Sequence, residues 1–258
     1  MPFKVVAFDG DDTLWHNESH FNVTQKQLRE LLLSHAPDAD VDHRLFGIEM
    51  ANLKIYGYGI KSFTLSMLET AIEITEGRIP ASDLEVILGW GKSMLQQPTE
   101  LLDGVREALV DVSRRHSILL ITKGDLFDQE SKLARSGLGE LFHGVEILSA
   151  KTTESYRQVL ERRGINPAEF VMVGNSLASD IVPVVEAGAT AVHIPYHLTW
   201  RHEHVDEERM PAAGWHRLAG IRELPELLAS IEAGAGGPDQ HELQSPPDRN
   251  RKRDSGPL

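Results

Sequence analysis

Cysteine is absent from the 258 residues, which removes disulfides, thiolate nucleophiles and Cys-based zinc or iron–sulfur centres from consideration. Long apolar runs are missing as well. No stretch approaches the roughly 20 residues that a membrane-spanning helix needs, and no basic segment with an apolar h-region precedes the first apolar run. The default expectation is therefore a cytoplasmic protein with no membrane partner. Positive charge is scarce: 26 Lys and Arg stand against 39 Asp and Glu, a formal net charge of −13. Nucleic acid is not an expected partner, because a phosphate backbone calls for clustered cations. A small phosphorylated ligand stays open, since exposed charges are screened beyond roughly 8 Å at physiological salt and a local pocket decides its own chemistry. With 41% hydrophobic residues the chain can bury a substantial core, and its length suits one domain with an insertion or two small ones.

What is present begins at the first apolar run. Val5-Val6-Ala7-Phe8 ends abruptly in Asp9-Gly10-Asp11-Asp12-Thr13-Leu14-Trp15, which reads as a buried parallel strand that delivers an acidic loop to a sheet edge. Gly10 lets the backbone turn there, and ligands of open parallel sheets collect at that edge. Carboxylates this close repel one another and need a cation, a lysine or water for compensation; bound Mg²⁺ would supply it. A solvated acidic turn is the alternative. An EF-hand fails by position, since the required glycine would fall on Leu14 and the bidentate acid on His20.

After Trp15 the pattern turns helical. Thr24 and Gln27 have capping-box spacing ahead of Leu28, Leu31 and Leu32; a second segment runs through Phe63, Met67, Ala71 and Ile74, and a third from Ser82 to Leu95. Strands return at Ile118–Ile121, Val145–Leu148, Phe170–Val173 and Ala191–Ile194, separated by helical patterns. Such alternation predicts an α/β fold with a doubly wound, Rossmann-like parallel sheet. The expected organisation is an α/β core domain from 1–15 and 101–233, an inserted α-helical domain over 16–100, and a disordered tail over 234–258 rich in Gly, Pro, Ser and charge.

Three further strand ends carry chemistry. Thr122-Lys123-Gly124-Asp125 follows the second strand, where a hydroxyl and adjacent amides suit a phosphoryl oxygen, although Ser or Thr before Gly also commonly caps a helix. Lys151 follows the third strand, and Lys123 competes with it for the role of neutralising cation. Gly174-Asn175-Ser176-Leu177-Ala178-Ser179-Asp180 follows the fourth; Asn175 and Asp180 supply the oxygen ligands that Mg²⁺ prefers, and a bare helix cap is the alternative for Asp180.

This ordered set resembles the haloacid dehalogenase-like (HAD) hydrolase superfamily over about residues 3–200, and the helical insertion resembles the mobile cap of its small-molecule phosphatases. The resemblance implies Asp9 as nucleophile, Asp11 as general acid/base with its backbone carbonyl on Mg²⁺, and Thr122 with neighbouring amides holding the phosphoryl group. It implies Lys151 linking that group to Asp9, and a metal set of Asp9, Asp11, Asn175 and Asp180. The implied activity is Mg²⁺-dependent hydrolysis of a small phosphorylated metabolite through an aspartyl-phosphate. A dehalogenase, or a non-catalytic phosphate- and Mg²⁺-binding module, is the alternative; the carboxylate of Asp11 favours phosphate esters, because departing halide needs no proton. Two departures stand out. Asn175 occupies a position that is often Asp, and Asp12 is acidic where a small residue is frequent, with a solvent-facing turn as its expected role. Substrate contacts are expected from Lys123 and Gly124, from Tyr56 and Tyr58 in a loop spanning Lys54 to Lys61 that closes over the site, and from Trp15 on the hinge side. His193, His197, His202 and His204 lie near Trp200 without clear ligand spacing on one element.

Overall fold

Val5–Phe8 forms β1, and the residues that alternate along it go to opposite sides of one sheet. Val6 and Phe8 join Ile118, Leu120, Val171 and Val173 on one face. Ala7 joins Leu119, Ile121, Phe170 and Met172 on the other. Both faces are apolar because both are covered by helices, as a parallel sheet requires. The computed structural model describes residues 3–198, 200, 203, 205 and 209–234; the tail expected over 234–258 falls outside them except for Gly234.

The sheet continues with β2 (Ser117–Lys123), β3 (Gly144–Leu148), β4 (Phe170–Gly174), β5 (Thr190–His193) and β6 (Trp215–Arg217). Its strand order is β3-β2-β1-β4-β5-β6, with every pairing parallel. The chain winds outward from β1 in one direction through β2 and β3, then returns beside β1 with β4. The order therefore reverses between β1 and β4, and the crevice beyond their carboxyl ends is where such sheets bind ligands. β6 lies outside the strand expectations, because Trp-His-Arg offers no apolar run to read.

Helices α1 (Glu18–His35), α2 (Val41–Tyr56), α3 (Ile60–Ile74), α4 (Ala81–Gln96) and α5 (Val105–Ser113) lie between β1 and β2. The first four enclose a hydrophobic cluster of their own that includes Leu28, Leu32, Leu45, Phe63, Met67 and Ile87. Around the sheet follow α6 (Leu126–Ser136), α7 (Thr153–Arg163), α8 (Val182–Glu186) and α9 (Leu224–Glu232). No helix among the described residues is long and apolar enough to cross a membrane.

The expected cap at Thr24 and Gln27 is corrected. Helix α1 starts at Glu18, and the Thr24 hydroxyl donates to the His20 carbonyl inside the helix. The capping oxygens come instead from Asp12, which accepts from the Asn17 and Glu18 N–H groups at 2.9 and 3.0 Å. Asp12 is consequently buried, 7% exposed, and its expected place in a solvent-facing turn is corrected too. Its φ of 62° is one that Asp tolerates better than most residues.

Candidate active site

Strand β1 hands its C-terminus to a tight loop. The Asp9 N–H donates to the Val173 carbonyl of β4, and the Leu14 N–H folds back to the Gly10 carbonyl. A Cβ on Gly10 would lie 2.6 Å from the Trp15 ring, so only glycine lets the indole seat beneath the loop. Trp15 is fully buried and donates its Nε1–H to Asp11 Oδ1 at 2.7 Å. It does not line the cavity around Asp9, and the contact it makes there is the hydrogen bond to Asp11.

Asp9 faces Lys151, delivered by the turn after β3. Lys151 Nζ donates to Asp9 Oδ1 at 2.5 Å and to Asp180 Oδ1 at 2.7 Å. Asp180 reaches this position through a π-helical turn, Leu177–Ile181, of the kind that recurs at functional sites. The turn is capped by Ser176, whose hydroxyl accepts from the Ser179 N–H, and Asp180 Oδ2 accepts from the Ser176 N–H at 3.0 Å. Gly174 makes room, since a Cβ there would fall 2.2 Å from Asp180 Oδ2. The Thr13 hydroxyl lies 3.3 Å from Asp9 Oδ2 and 3.2 Å from Asn175 Oδ1, which draws the ends of β1 and β4 together.

Charge in this group does not balance. Both carboxylates hold Lys151 protonated against the burial that opposes it. One ammonium cannot neutralise two buried carboxylates, and burial, only partly offset by Lys151 and reinforced by Asp180, pushes Asp9 up to about 7. Asp11 differs. Burial raises its carboxyl, but the Lys132 ammonium and hydrogen bonds from Lys132, Trp15 and Gln129 outweigh it and hold Asp11 below the usual carboxylate range. Lys132 Nζ reaches Asp11 at 2.9 and 3.1 Å, and Gln129 Nε2 reaches it at 2.9 Å.

Thr122, at the end of β2, is buried beside them and donates to Gln129 Oε1 at 3.1 Å. The helix that follows is capped by Asp125 rather than by Thr122. Lys123 points into the same cavity, bound to Ser179 Oγ at 2.9 Å and to Glu203, with its ammonium 4.6 Å from the centre of the Tyr58 ring. Gly124 turns the chain at a φ of 131° and stands back from the cavity wall. Tyr58 lines the cavity, whereas Tyr56, at the end of α2, is 53% exposed and does not. The loop carrying Tyr58 rests on the core: Lys61 pairs with Asp125 at 2.8 Å and lies over the Phe127 ring.

Sequence reasoning did not find Gln129 and Lys132, which stand one turn apart on the buried face of α6. The readable signal was polar side chains on a face where an amphipathic helix places apolar ones. Nor did it find Thr13, Glu18, Glu49, Trp200 and Glu203, all on the cavity wall or its floor. His193 donates from Nε2 to the Asn175 carbonyl; His202 and His204 lie outside the described residues.

A divalent cation fits this chemistry. Among the described residues eight carboxylates and three ammoniums line one cavity of about 140 Å³, and a phosphate dianion entering it meets an excess of negative charge that a cation would offset. Among the described residues no three His, Asp or Glu side chains converge as a ready ligand cage. The available donors are hard oxygens: Asp9 and Asp180, the Asn175 amide oxygen and the Asp11 carbonyl, a set suited to Mg²⁺ with retained waters.

Comparison with known proteins bears on the whole arrangement. A haloacid dehalogenase-like hydrolase from Xanthomonas campestris is 38% identical, with a TM-score of 0.80 over 91% of this chain and 94% of that one. The magnesium-bound structure of YfnB from Bacillus subtilis shares the fold at 16% identity, with a TM-score of 0.61 over 88% of this chain and 99% of its own. The glyceraldehyde 3-phosphate phosphatase of Pyrococcus furiosus is 24% identical over 90% of this chain and 95% of its own. The family model for haloacid dehalogenase-like hydrolases matches residues 3–188, from β1 through the Asp180 turn, and the chain belongs to that family.

Proposed function

We propose that the protein is a Mg²⁺-dependent phosphatase that hydrolyses a small phosphate monoester through an aspartyl-phosphate on Asp9. The observation that carries this reading is the grouping of Asp9, Lys151 and Asp180 at the β1/β4 crevice, with Asp11 two residues further on and bound to α6. Similarity to a phosphatase across nearly the whole chain supports the same reaction type.

In the first half, an Asp9 carboxylate oxygen bonds to phosphorus as the ester P–O bond breaks, and the departing oxygen takes a proton from Asp11. In the second half, water attacks phosphorus, the Asp9 P–O bond breaks, and Asp11 takes the proton from that water. Lys151 holds Asp9 in position and places positive charge beside the transferring group. Thr122, whose hydroxyl now donates to Gln129, would give that hydrogen bond to an equatorial phosphoryl oxygen instead. Asn175 and Asp180, with Asp9 and the Asp11 carbonyl, would hold Mg²⁺, which supplies the charge that lets two anions meet. The contacts Asp11 accepts here hold it ionised, the form that deprotonates water in the second half; to protonate the departing oxygen in the first half it takes up a proton from solvent as substrate binds. Closure of the loop around Tyr58 keeps bulk water out until the first product leaves.

The test is a phosphate-release screen over aryl, sugar and alkyl phosphates with and without Mg²⁺, with halogenated acids as the control and Asp9→Asn as the blank. Mg²⁺-dependent release from at least one ester, abolished by a chelator and lowered by roughly 10³-fold or more in Asp9→Asn, is the expected result. Halide release without phosphate release overturns the reading in favour of a dehalogenase, and no turnover by the folded protein overturns it in favour of a binding module.

A further inference from the structure

Gln129 is 2% exposed on α6, a place where an amide is costly unless both its ends are hydrogen-bonded. Both ends are taken by groups of the site. Its Oε1 accepts from the Thr122 hydroxyl at 3.1 Å, and its Nε2 donates to Asp11 Oδ2 at 2.9 Å. The orientation is forced, because an ionised carboxylate only accepts and the amide nitrogen must therefore face Asp11. One side chain thus spans the hydroxyl proposed to hold the phosphoryl group and the acid proposed to serve the departing oxygen.

Asp11 is fully engaged. Oδ1 accepts from Trp15 at 2.7 Å and from Lys132 at 2.9 Å, while Oδ2 accepts from Gln129 at 2.9 Å and from Lys132 at 3.1 Å. The four acceptor sites of its carboxylate are filled, so one contact has to open before Asp11 can carry a proton to the departing oxygen. The Lys132 contact to Oδ2 is the longest of the four. Lys132 keeps Asp11 Oδ1, Asn17 Oδ1 at 2.8 Å and Asp128 as partners when it opens. Gln129 is then the donor that fixes Oδ2 and aims its vacated site. At Thr122 its effect is the reverse, because one hydroxyl proton cannot serve both Gln129 and a phosphoryl oxygen.

We propose that Gln129 is a positioning residue with opposite effects on its two partners: by aligning Asp11 it speeds the departure of poor leaving groups, and by occupying Thr122 it weakens the binding of phosphate. The proposal rests on the phosphatase reading above and adds a residue to it. Gln129 acts through Asp11 and Thr122, and its loss separates binding from chemistry.

The experiment uses Gln129→Met, which keeps the length of the side chain and loses both contacts. With Mg²⁺ present, kcat/KM is measured for a series from 4-nitrophenyl through phenyl to alkyl phosphates, whose leaving groups need progressively more help from an acid. Inorganic phosphate is titrated as a competitive inhibitor. The ratio of 4-nitrophenyl to alkyl kcat/KM is expected to rise about tenfold or more in the variant, a part of the roughly 10²- to 10⁴-fold that a positioned acid contributes. Phosphate is expected to bind about two- to tenfold more tightly, the size of the one neutral hydrogen bond that Thr122 no longer gives up. The ratio is internal to each preparation, so a partly unfolded variant does not distort it. In an Asp11→Asn background, Gln129→Met should leave the ratio unchanged, because the residue it acts through no longer donates a proton. An unchanged ratio in Gln129→Met, a rise that persists with Asp11→Asn, or phosphate binding that does not tighten overturns the proposal and leaves the phosphatase reading standing. No turnover by the parent protein in this series, together with none in the broader screen, overturns both.

Discussion

One ammonium between two buried carboxylates defines the residue scale of this protein. Lys151 serves Asp9 and Asp180 together, and the uncompensated charge falls on Asp9. Asn175 stands beside them as a neutral oxygen, sharing the Thr13 hydroxyl with Asp9. Asn175→Asp adds the charge that the ligand set lacks. It is expected to lower the Mg²⁺ concentration for half-maximal activity by about three- to tenfold, the size of one added carboxylate contact partly offset by repulsion from Asp9 and Asp180. A metal titration of the variant checks this, and an unchanged midpoint removes Asn175 from the ligand set. The residues around the acids were legible to different degrees. Asp9, Asp11, Thr122, Lys151, Asn175 and Asp180 all follow apolar runs, so their arrival at one sheet edge follows from the strand pattern. Glu18, Glu49 and Glu203 come from helical or irregular segments whose approach to that edge depends on packing, which no local pattern encodes.

At the scale of elements, the entry to α1 shows how a local rule fails. Thr24 and Gln27 satisfy the spacing of a capping box, yet the helix begins at Glu18 and takes its cap from Asp12, five and six residues before the N–H groups it accepts. A long-range cap of this kind follows from the loop around Gly10 and leaves no helical signature. Asp12→Ala removes those acceptors and sets a Cβ-only side chain at a φ of 62°. The expected cost is about 1–2 kcal/mol from the cap with about 1 kcal/mol more from left-handed strain. Thermal unfolding should show Tm lower by several degrees, and Asp12→Asn, which keeps an acceptor and tolerates the backbone, should lose less. A Tm for Asp12→Ala equal to the parent contradicts this account of α1. Strand β6 was illegible for a different reason: among the described residues it pairs with β5 alone, and an edge strand needs no apolar run.

For the molecule as a whole, an excess of acid is built into the interior as well as the surface. Asp9, Asp12 and Glu49 are pushed up to about 7 and Glu18 to about 8, all chiefly by burial. Each therefore binds a proton more tightly folded than unfolded, so between about pH 4.5 and 8 the folded chain holds more protons and stability falls as pH rises. In metal-free buffer Tm should decline from pH 5 to pH 8, and Glu49→Gln should flatten the decline by raising Tm at the alkaline end; a Tm that rises across that window contradicts the assignment. The inserted helices and the sheet carry separate apolar clusters, which supports the proposal that 16–100 forms a cap domain distinct from the α/β core. Between them lies the cavity in which Asp9 is proposed to become phosphorylated, and that step is open to direct observation. A substrate found in the screen is mixed with enzyme and Mg²⁺, quenched in acid within a turnover, and the digested protein is mapped by mass spectrometry. The account predicts the mass of one phosphoryl group on the peptide that contains Asp9, absent from Asp9→Asn. Full turnover with that peptide unmodified at every quench time, or with the phosphoryl group on another residue, would contradict it.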